Sequence, residues 1–423
     1  MHHFDYRDSE LYCEEVPVAA IAAKIGTPFY LYSHATLTRH FNKFDGAFEG
    51  VDRLICFSAK ANTNLAVLKL FADLGCGLDI VSGGELYRGL KAGFSPERIV
   101  YSGVGKRVDE IDYALETGIL VFNIESFDEL RLISERAGVM NRKASIAIRV
   151  NPNVDPKTHP YISTGLKKNK FGIENESAFE AYQTASRLEN IEIVGIDCHI
   201  GSQITDVKPF EDALLSLRQL ISRLNNELNI AIKYVDMGGG LGITYSTESP
   251  PLLSEYANAI RKHLEDTDSK LILEPGRVFV GNAGILVTRV LSTKSSADKN
   301  FVIIDAGMND LMRPALYGAF HTIQPVLKSE EGSFKADVVG PICESSDFLA
   351  QDRELAKVKN GDLLAVMSSG AYGFVMSSNY CSRLRVAEVM VKGNQFEVVT
   401  VRERYEDLVE KERIPAFLQG KAN

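Results

Sequence analysis

Between about residues 50 and 285, short apolar and β-branched runs alternate with longer stretches whose apolar residues recur every three or four positions. That pattern marks repeated strand and helix units around a parallel sheet. Eight runs qualify, at residues 54–58, 78–81, 99–102, 119–122, 145–150, 193–198, 234–237 and 271–273. Helical periodicity fills the intervals, as at 177–188 and at 209–228, where Phe210, Leu214, Leu217 and Ile221 share one face. Eight such units predict an α/β fold of the (β/α)8 TIM barrel type, with its chemistry at the C-terminal ends of the strands. An open, doubly wound sheet is the alternative.

Beyond residue 285 the long helical pattern stops. Strand-like segments bounded by turn residues take over, at 284–291, 300–305, 334–339, 362–367, 383–391 and 396–401, and predict a mainly antiparallel β domain. The run Phe29-Tyr-Leu-Tyr32, after Gly26-Thr-Pro28, suits the same domain. The expected division is a barrel over 35–283 and a β domain built from 1–34 and 284–423. A chain of 423 residues exceeds what one core comfortably supports.

Composition narrows the function. Apolar residues make up 45% and charged residues 24%, with no unbroken apolar run near the length of a membrane span. A net charge of −9, without a dense Lys/Arg block, argues against nucleic-acid binding. The start, Met1-His-His-Phe-Asp-Tyr6, lacks the basic-then-apolar pattern of a signal peptide, so a cytoplasmic location is expected. Cys13, Cys56, Cys76, Cys198, Cys343 and Cys381 form no Cys-x-x-Cys pair, and neither a metal site nor a disulfide framework is indicated.

Against that background, three features fall where barrel chemistry belongs. Lys60, in Phe57-Ser-Ala-Lys-Ala-Asn62, follows the first strand; Gly238-Gly-Gly240 follows the seventh; Glu274, in Glu274-Pro-Gly-Arg277, ends the eighth. An amine for a carbonyl, backbone amides for a phosphate and a carboxylate for a ring nitrogen are together what pyridoxal 5'-phosphate requires. Three glycines let amides approach a phosphate closely, and a helix after the loop is expected to add its positive end. A free lysine titrates near 10.4, so burial beside other cations is expected to favour its neutral form.

In order, Phe57-Ser-Ala-Lys-Ala-Asn62, His199-Ile-Gly-Ser-Gln203, Gly238-Gly-Gly-Leu-Gly242, Glu274-Pro-Gly-Arg277, Cys343-Glu-Ser-Ser-Asp347 and Gly370-Ala-Tyr-Gly373 resemble the fold-type III pyridoxal phosphate decarboxylases over nearly the whole chain. The resemblance implies a barrel of the alanine-racemase type. Lys60 would bind the cofactor covalently, with Asp79 nearby, although a capping or turn role for Asp79 is the alternative. His199 would stack on the ring. Ser202, Gly239, Gly276, Arg277 and Tyr372 would contribute further cofactor contacts. Glu274 would keep the ring nitrogen protonated, which suits carbanion stabilisation. The racemases of this fold carry an arginine there, which argues for a decarboxylase.

Within that group, His159-Pro-Tyr-Ile-Ser-Thr-Gly165, Lys170-Phe-Gly172 and Met312-Arg-Pro-Ala-Leu-Tyr317 are most similar to the branch acting on meso-2,6-diaminopimelate, the last step of lysine biosynthesis. On that resemblance Arg277, Arg313, Tyr317 and Tyr372 would bind substrate, the two arginines and Tyr317 holding the distal carboxylate. Glu344 would hold the distal ammonium. Cys343 would reach the site of the other subunit in a homodimer and return a proton to carbon. Alternatives are a sister decarboxylase acting on carboxynorspermidine, ornithine or arginine, and, more remotely, a non-catalytic cofactor-homeostasis protein. Ser346 stands where the family commonly has glycine, which puts that loop's backbone angles in question. Cys381 and Leu384 replace an asparagine and a proline, with effects expected on packing.

Overall fold

The computed structural model describes residues 2–155, 169–264, 268–329 and 331–419. It divides into two compact units. The first comprises His34–Gly284 and, from far along the chain, Gly370–Val375; the second comprises His3–Ser33, Ile285–Ser369 and the chain from Met376 onward.

In the first unit, eight parallel strands lie at Arg53–Ser58, Gly77–Ile80, Ile99–Tyr101, Val121–Ile124, Ala144–Asn151, Ile191–Asp197, Tyr234–Asp236 and Lys270–Leu273. We number them one to eight. Strand eight pairs with strand one and strand four with strand five, so the sheet closes on itself. This is the expected barrel, and closure removes the open-sheet alternative. Strand four begins two residues later than the periodicity suggests, because Gly118 ends the preceding helix in the left-handed region (φ 74°). Ile119 then caps that helix by donating to the Ala114 carbonyl.

The helix Lys208–Leu228 buries Phe210, Leu214 and Leu217 as its pattern requires, and adds Leu220 and Leu224. Asn229 stops it with a left-handed φ of 53°, an angle asparagine tolerates better than most residues.

Inside the barrel, Leu54, Cys56, Val100, Val121, Ala147, Val194 and Ile272 form an apolar plug. Strand side chains alternate between faces, so in five of the strands the residue two places on from a plug residue also points inward. Those residues are polar: Ser58 after Cys56, Ser102 after Val100, Asn123 after Val121, Arg149 after Ala147 and Glu274 after Ile272. All five are buried. Plug and site are therefore consecutive layers of one barrel, set by a period of two.

In the second unit, the strands Phe348–Ala356, Ser333–Val339, Asn300–Ile304, Gly284–Ser295, Phe29–Ser33, Ala387–Lys392 and Gln395–Thr400 follow one another across a sheet. Ile323–Pro325 and Leu363–Val366 pair beside it. Most pairings are antiparallel, with Phe29–Ser33 parallel to Ala387–Lys392 and Asn300–Ile304 parallel to Ser333–Val339. The sheet buries Phe29, Leu31, Ile285, Val287, Val389 and Val391 against Leu11, Val18 and Ile21. Strand Phe348–Ala356 escapes sequence detection because Gln351, Asp352 and Glu354 face solvent and dilute its apolar content. The run predicted at 383–391 is strand only from Ala387, since Tyr380–Ser382 forms a tight turn just before it.

Ile272 sits in the plug directly beneath Glu274. Ile272→Ala should lower stability by about 2–5 kcal/mol in chemical denaturation, whereas a change under 1 kcal/mol would mean the plug does not support the barrel.

Candidate functional site

Lys60 lies in the short 3-10 turn Ala59–Ala61 that follows strand one. Its Nζ donates to Asp79 Oδ2 at 2.6 Å. Asp79 is fully buried within strand two and also accepts from Ser58 Oγ at 2.7 Å. Its position in mid-strand excludes a capping or turn role.

Among the described residues, the charges acting on Lys60 come from acidic groups and not from the cations expected. Burial works to lower its pKa, but the carboxylates of Asp79 and Glu274 overcome that and the net shift is upward. The protein's own groups thus favour the ammonium, through attraction to buried opposite charge.

Lys60, His199, Ser202, Gly238, Gly239, Gly240, Glu274, Gly276, Arg277 and Tyr372 line one cavity. His199 Nδ1 accepts from the Gly239 amide at 3.0 Å, which fixes the tautomer with the ring proton on Nε2. Burial first, and then the nearby Arg149 and Lys60 cations, push its pKa well down, so the imidazole is neutral. A neutral ring held edge-on by the glycine loop presents a flat aromatic face.

The glycines are sterically required. A Cβ on Gly239 would lie 2.2 Å from the Glu274 carbonyl oxygen, and Gly240 takes a φ of +117°, which side chains rarely tolerate. No helix follows this loop directly, contrary to expectation: the next begins at Leu253, so the amides act without a helix end behind them. Arg277 reaches over the cavity, donating to Ser202 Oγ at 2.9 Å and to Tyr245 Oη at 2.8 Å. Its guanidinium also lies 4.9 Å from the Tyr372 ring centroid. Tyr372 holds a left-handed φ of 55°, with its amide bonded to the Ala61 carbonyl at 2.8 Å. Such strain in a bulky residue is tied to sites where the surroundings over-determine the backbone.

Beneath the cavity lies a polar layer that motif reading did not assign. Ser102 Oγ donates to Glu274 Oε1 at 3.3 Å, Asn123 Nδ2 donates to Asp236 Oδ2 at 3.3 Å, and Asp236 Oδ1 accepts the Gly238 amide at 2.8 Å. Arg149 is bonded to Glu125 at 2.6 Å and approaches Asp197 at 4.0 Å. Phe171 stacks under the Arg149 guanidinium, 4.9 Å away, and the Gly172 amide donates to Glu125 at 2.7 Å. Lys170-Phe-Gly172 therefore acts through Arg149. The one signal that could have found this layer is the period of two from the apolar plug. Burial, then neighbouring carboxylates, raise the pKa of Glu274, Asp236 and Asp197.

The remaining predicted residues belong to the second unit. Arg313 opens the helix Arg313–Tyr317, is buried, and donates to His321 Nε2 at 2.8 Å. His321 Nδ1 in turn faces the Met367 carbonyl at 2.8 Å, which makes Nδ1 the donor and leaves Nε2 to accept. Tyr317 closes the same short helix.

Cys343 and Glu344 are exposed on a loop anchored by Asp347, whose carboxylate accepts the amides of Met308 and Ile342, each at 2.6 Å. Ser346 is not in the left-handed region, so its replacement of glycine costs this backbone nothing. Cys381 is, at φ 54°, an angle the family's asparagine would adopt more readily. The motif His159–Gly165 falls outside the described residues.

Comparison with known proteins now bears on this geometry. A family profile described as the pyridoxal-dependent decarboxylase, pyridoxal binding domain, matches residues 34–281. The chain belongs to this decarboxylase family. Among curated relatives it is 52% identical over 410 residues to the diaminopimelate decarboxylase of Vibrio cholerae serotype O1, covering 96% of this chain and 98% of the relative. It is 50% identical over 409 residues to that of Aquifex aeolicus, covering 96% and 97%. The crystal structure of diaminopimelate decarboxylase from M. jannaschii in co-complex with L-lysine superposes with a TM-score of 0.93 at 39% identity, over 99% of this chain and all of that one (100%).

Decarboxylases of this family use pyridoxal phosphate, and the residues here fit it. A half-buried amine, a neutral aromatic face, a buried carboxylate and a glycine cradle with no room for side chains share one cavity. Asp79 Oδ1, buried beside Lys60 and without a hydrogen-bond partner, adds a free acceptor where that amine reacts.

The raised carboxylates make a pH prediction. The folded protein keeps protons on Asp236 and Glu274 that the unfolded chain releases above the ordinary carboxylate pKa of about 4, so these groups lower stability as pH rises. Asp236→Asn keeps an acceptor for Gly238 and removes one charge. In urea denaturation of the cofactor-stripped protein, the variant should lose less stability than the parent between about pH 5 and pH 8. An equal or larger loss would contradict the assignment.

Proposed function

We propose that this protein removes CO2 from meso-2,6-diaminopimelate to give L-lysine, as a homodimer in the cytoplasm. The observation that carries the reading is the Lys60 amine, 2.6 Å from Asp79 and in one cavity with His199, the glycine loop and Glu274. Extensive similarity to diaminopimelate decarboxylases, one of them solved with L-lysine, supports the substrate.

Pyridoxal phosphate, when bound, supplies an aldehyde that links to amines and a ring that takes up the electron pair left on carbon as CO2 departs. The chain's own groups do the rest. Lys60 would hold the cofactor through Nζ, with Asp79 in contact at 2.6 Å to take up the proton its ammonium gives up. The Gly239 and Gly240 amides, with Ser202 and Arg277, would hold the phosphate. His199, flat and uncharged, would fix the ring plane so that the bond to CO2 stands perpendicular to it. Burial and then Asp236 push the Glu274 pKa up, so its carboxyl is suited to share a proton with the ring nitrogen.

For the distal end of the substrate we assign Arg277, Arg313 and Tyr317 to the carboxylate and Glu344 to the ammonium. Cys343 and Glu344 would act in the site of the second subunit, with Cys343 or Lys60 returning a proton to carbon. Among the described residues no helix is long and apolar enough to cross a membrane.

Two measurements test the reading. Lys60→Ala should abolish the visible absorbance that appears when lysine and cofactor join, and reduce CO2 release by at least about a thousandfold, or roughly 4 kcal/mol in barrier. An unchanged spectrum and rate would remove Lys60 from the mechanism. CO2 release assayed side by side with meso-diaminopimelate, carboxynorspermidine, ornithine and arginine should favour the first; a preference for another would transfer the protein to a sister activity.

A further inference from the structure

The Glu344 side chain is exposed, yet two hydroxyls hold it. Ser346 Oγ donates to Oε1, and Tyr380 Oη donates to Oε2 at 2.6 Å. These contacts, Ser346 first and Tyr380 second, keep its carboxyl below the usual range. Tyr380 is itself placed by its turn. Asn379 Nδ2 bonds the Arg383 carbonyl at 3.0 Å and Glu403 Oε2 at 2.6 Å, and Glu403 also accepts the Arg385 amide at 2.7 Å. The loop under Glu344 is pinned through Asp347. A surface glutamate otherwise samples many rotamers, and ordering it on contact with a ligand weakens binding. Each carboxylate oxygen has two acceptor sites, so one donor apiece still leaves sites for an ammonium.

We propose that Ser346 and Tyr380 are positioning residues that hold the Glu344 carboxylate ready for the distal ammonium of the substrate, and so favour an amino acid with a charged far end. This rests on the reading of Glu344 given above. The glycine common at position 346 has no hydroxyl to offer, so the contact to Glu344 depends on the serine this chain carries.

The test is steady-state kinetics of the cofactor-loaded enzyme on meso-diaminopimelate, with Ser346→Gly, Ser346→Thr, Tyr380→Phe and Glu344→Gln compared in parallel. Losing one such hydrogen bond should raise KM about three- to tenfold for Ser346→Gly and for Tyr380→Phe, with kcat within about twofold. Ser346→Thr keeps a hydroxyl and should stay near the parent, while Glu344→Gln should raise KM the most. If Glu344→Gln raises KM but Ser346→Gly and Tyr380→Phe do not, or Ser346→Thr is as impaired as Ser346→Gly, the positioning role is overturned. If Glu344→Gln itself leaves KM unchanged, the role given to Glu344 falls, and this inference with it.

Discussion

The contact between the Lys60 ammonium and the Asp79 carboxylate is the one on which the site depends. Both belong to the inner layer of a closed barrel, where water is scarce and charge is costly unless paired. Asp79, Glu125, Asp197, Asp236 and Glu274 all reach this layer, and Lys60 and Arg149 are cations that face them. Five ionised carboxylates against two cations would leave excess negative charge in a confined space. Like charges 4 Å apart repel by about 4 kcal/mol even at an effective dielectric of about 20. Burial and then Asp236 push the Glu274 pKa up, so the layer favours a proton on that acid. A raised carboxyl pKa lies closer to that of a ring nitrogen, which suits a proton shared between the two.

The barrel was legible because its two periods are: apolar runs for the strands and a 3.6-residue face for helices such as Lys208–Leu228. The mouth was legible because Lys60, Gly238–Gly240 and Glu274 are residue types with few other reasons to fall just after barrel strands. The layer beneath was not, since Asn123 and Asp236 look like ordinary polar strand ends until alternation aims them inward, and Asp197 lies beyond a register shift in its strand. The charge environment of Lys60 was misjudged for the same reason. Its neighbours come from strands two and eight, and only closure of the sheet shows that they are acids.

In the second unit, residue types alone said less. Arg313 and Tyr317 occupy a five-residue helix, and strand Phe348–Ala356 hides behind its solvent-facing charges. Motif resemblance singles out Cys343 and Glu344, but the hydroxyls that hold Glu344 come from Ser346 and from Tyr380, 36 positions away. Contacts of that span are set by the fold and leave no trace in local sequence. The departure from the family at Ser346 pointed to the loop, and its meaning came from the partner it bonds.

The central claim is that Lys60 Nζ, in contact with Asp79, is the amine that carries pyridoxal phosphate. Borohydride reduction of the cofactor-loaded protein, followed by proteolysis and peptide mass spectrometry, tests it directly. The account predicts a single phosphopyridoxyl mass addition on Lys60. An addition on another lysine, or none on a sample that nonetheless releases CO2, would contradict it.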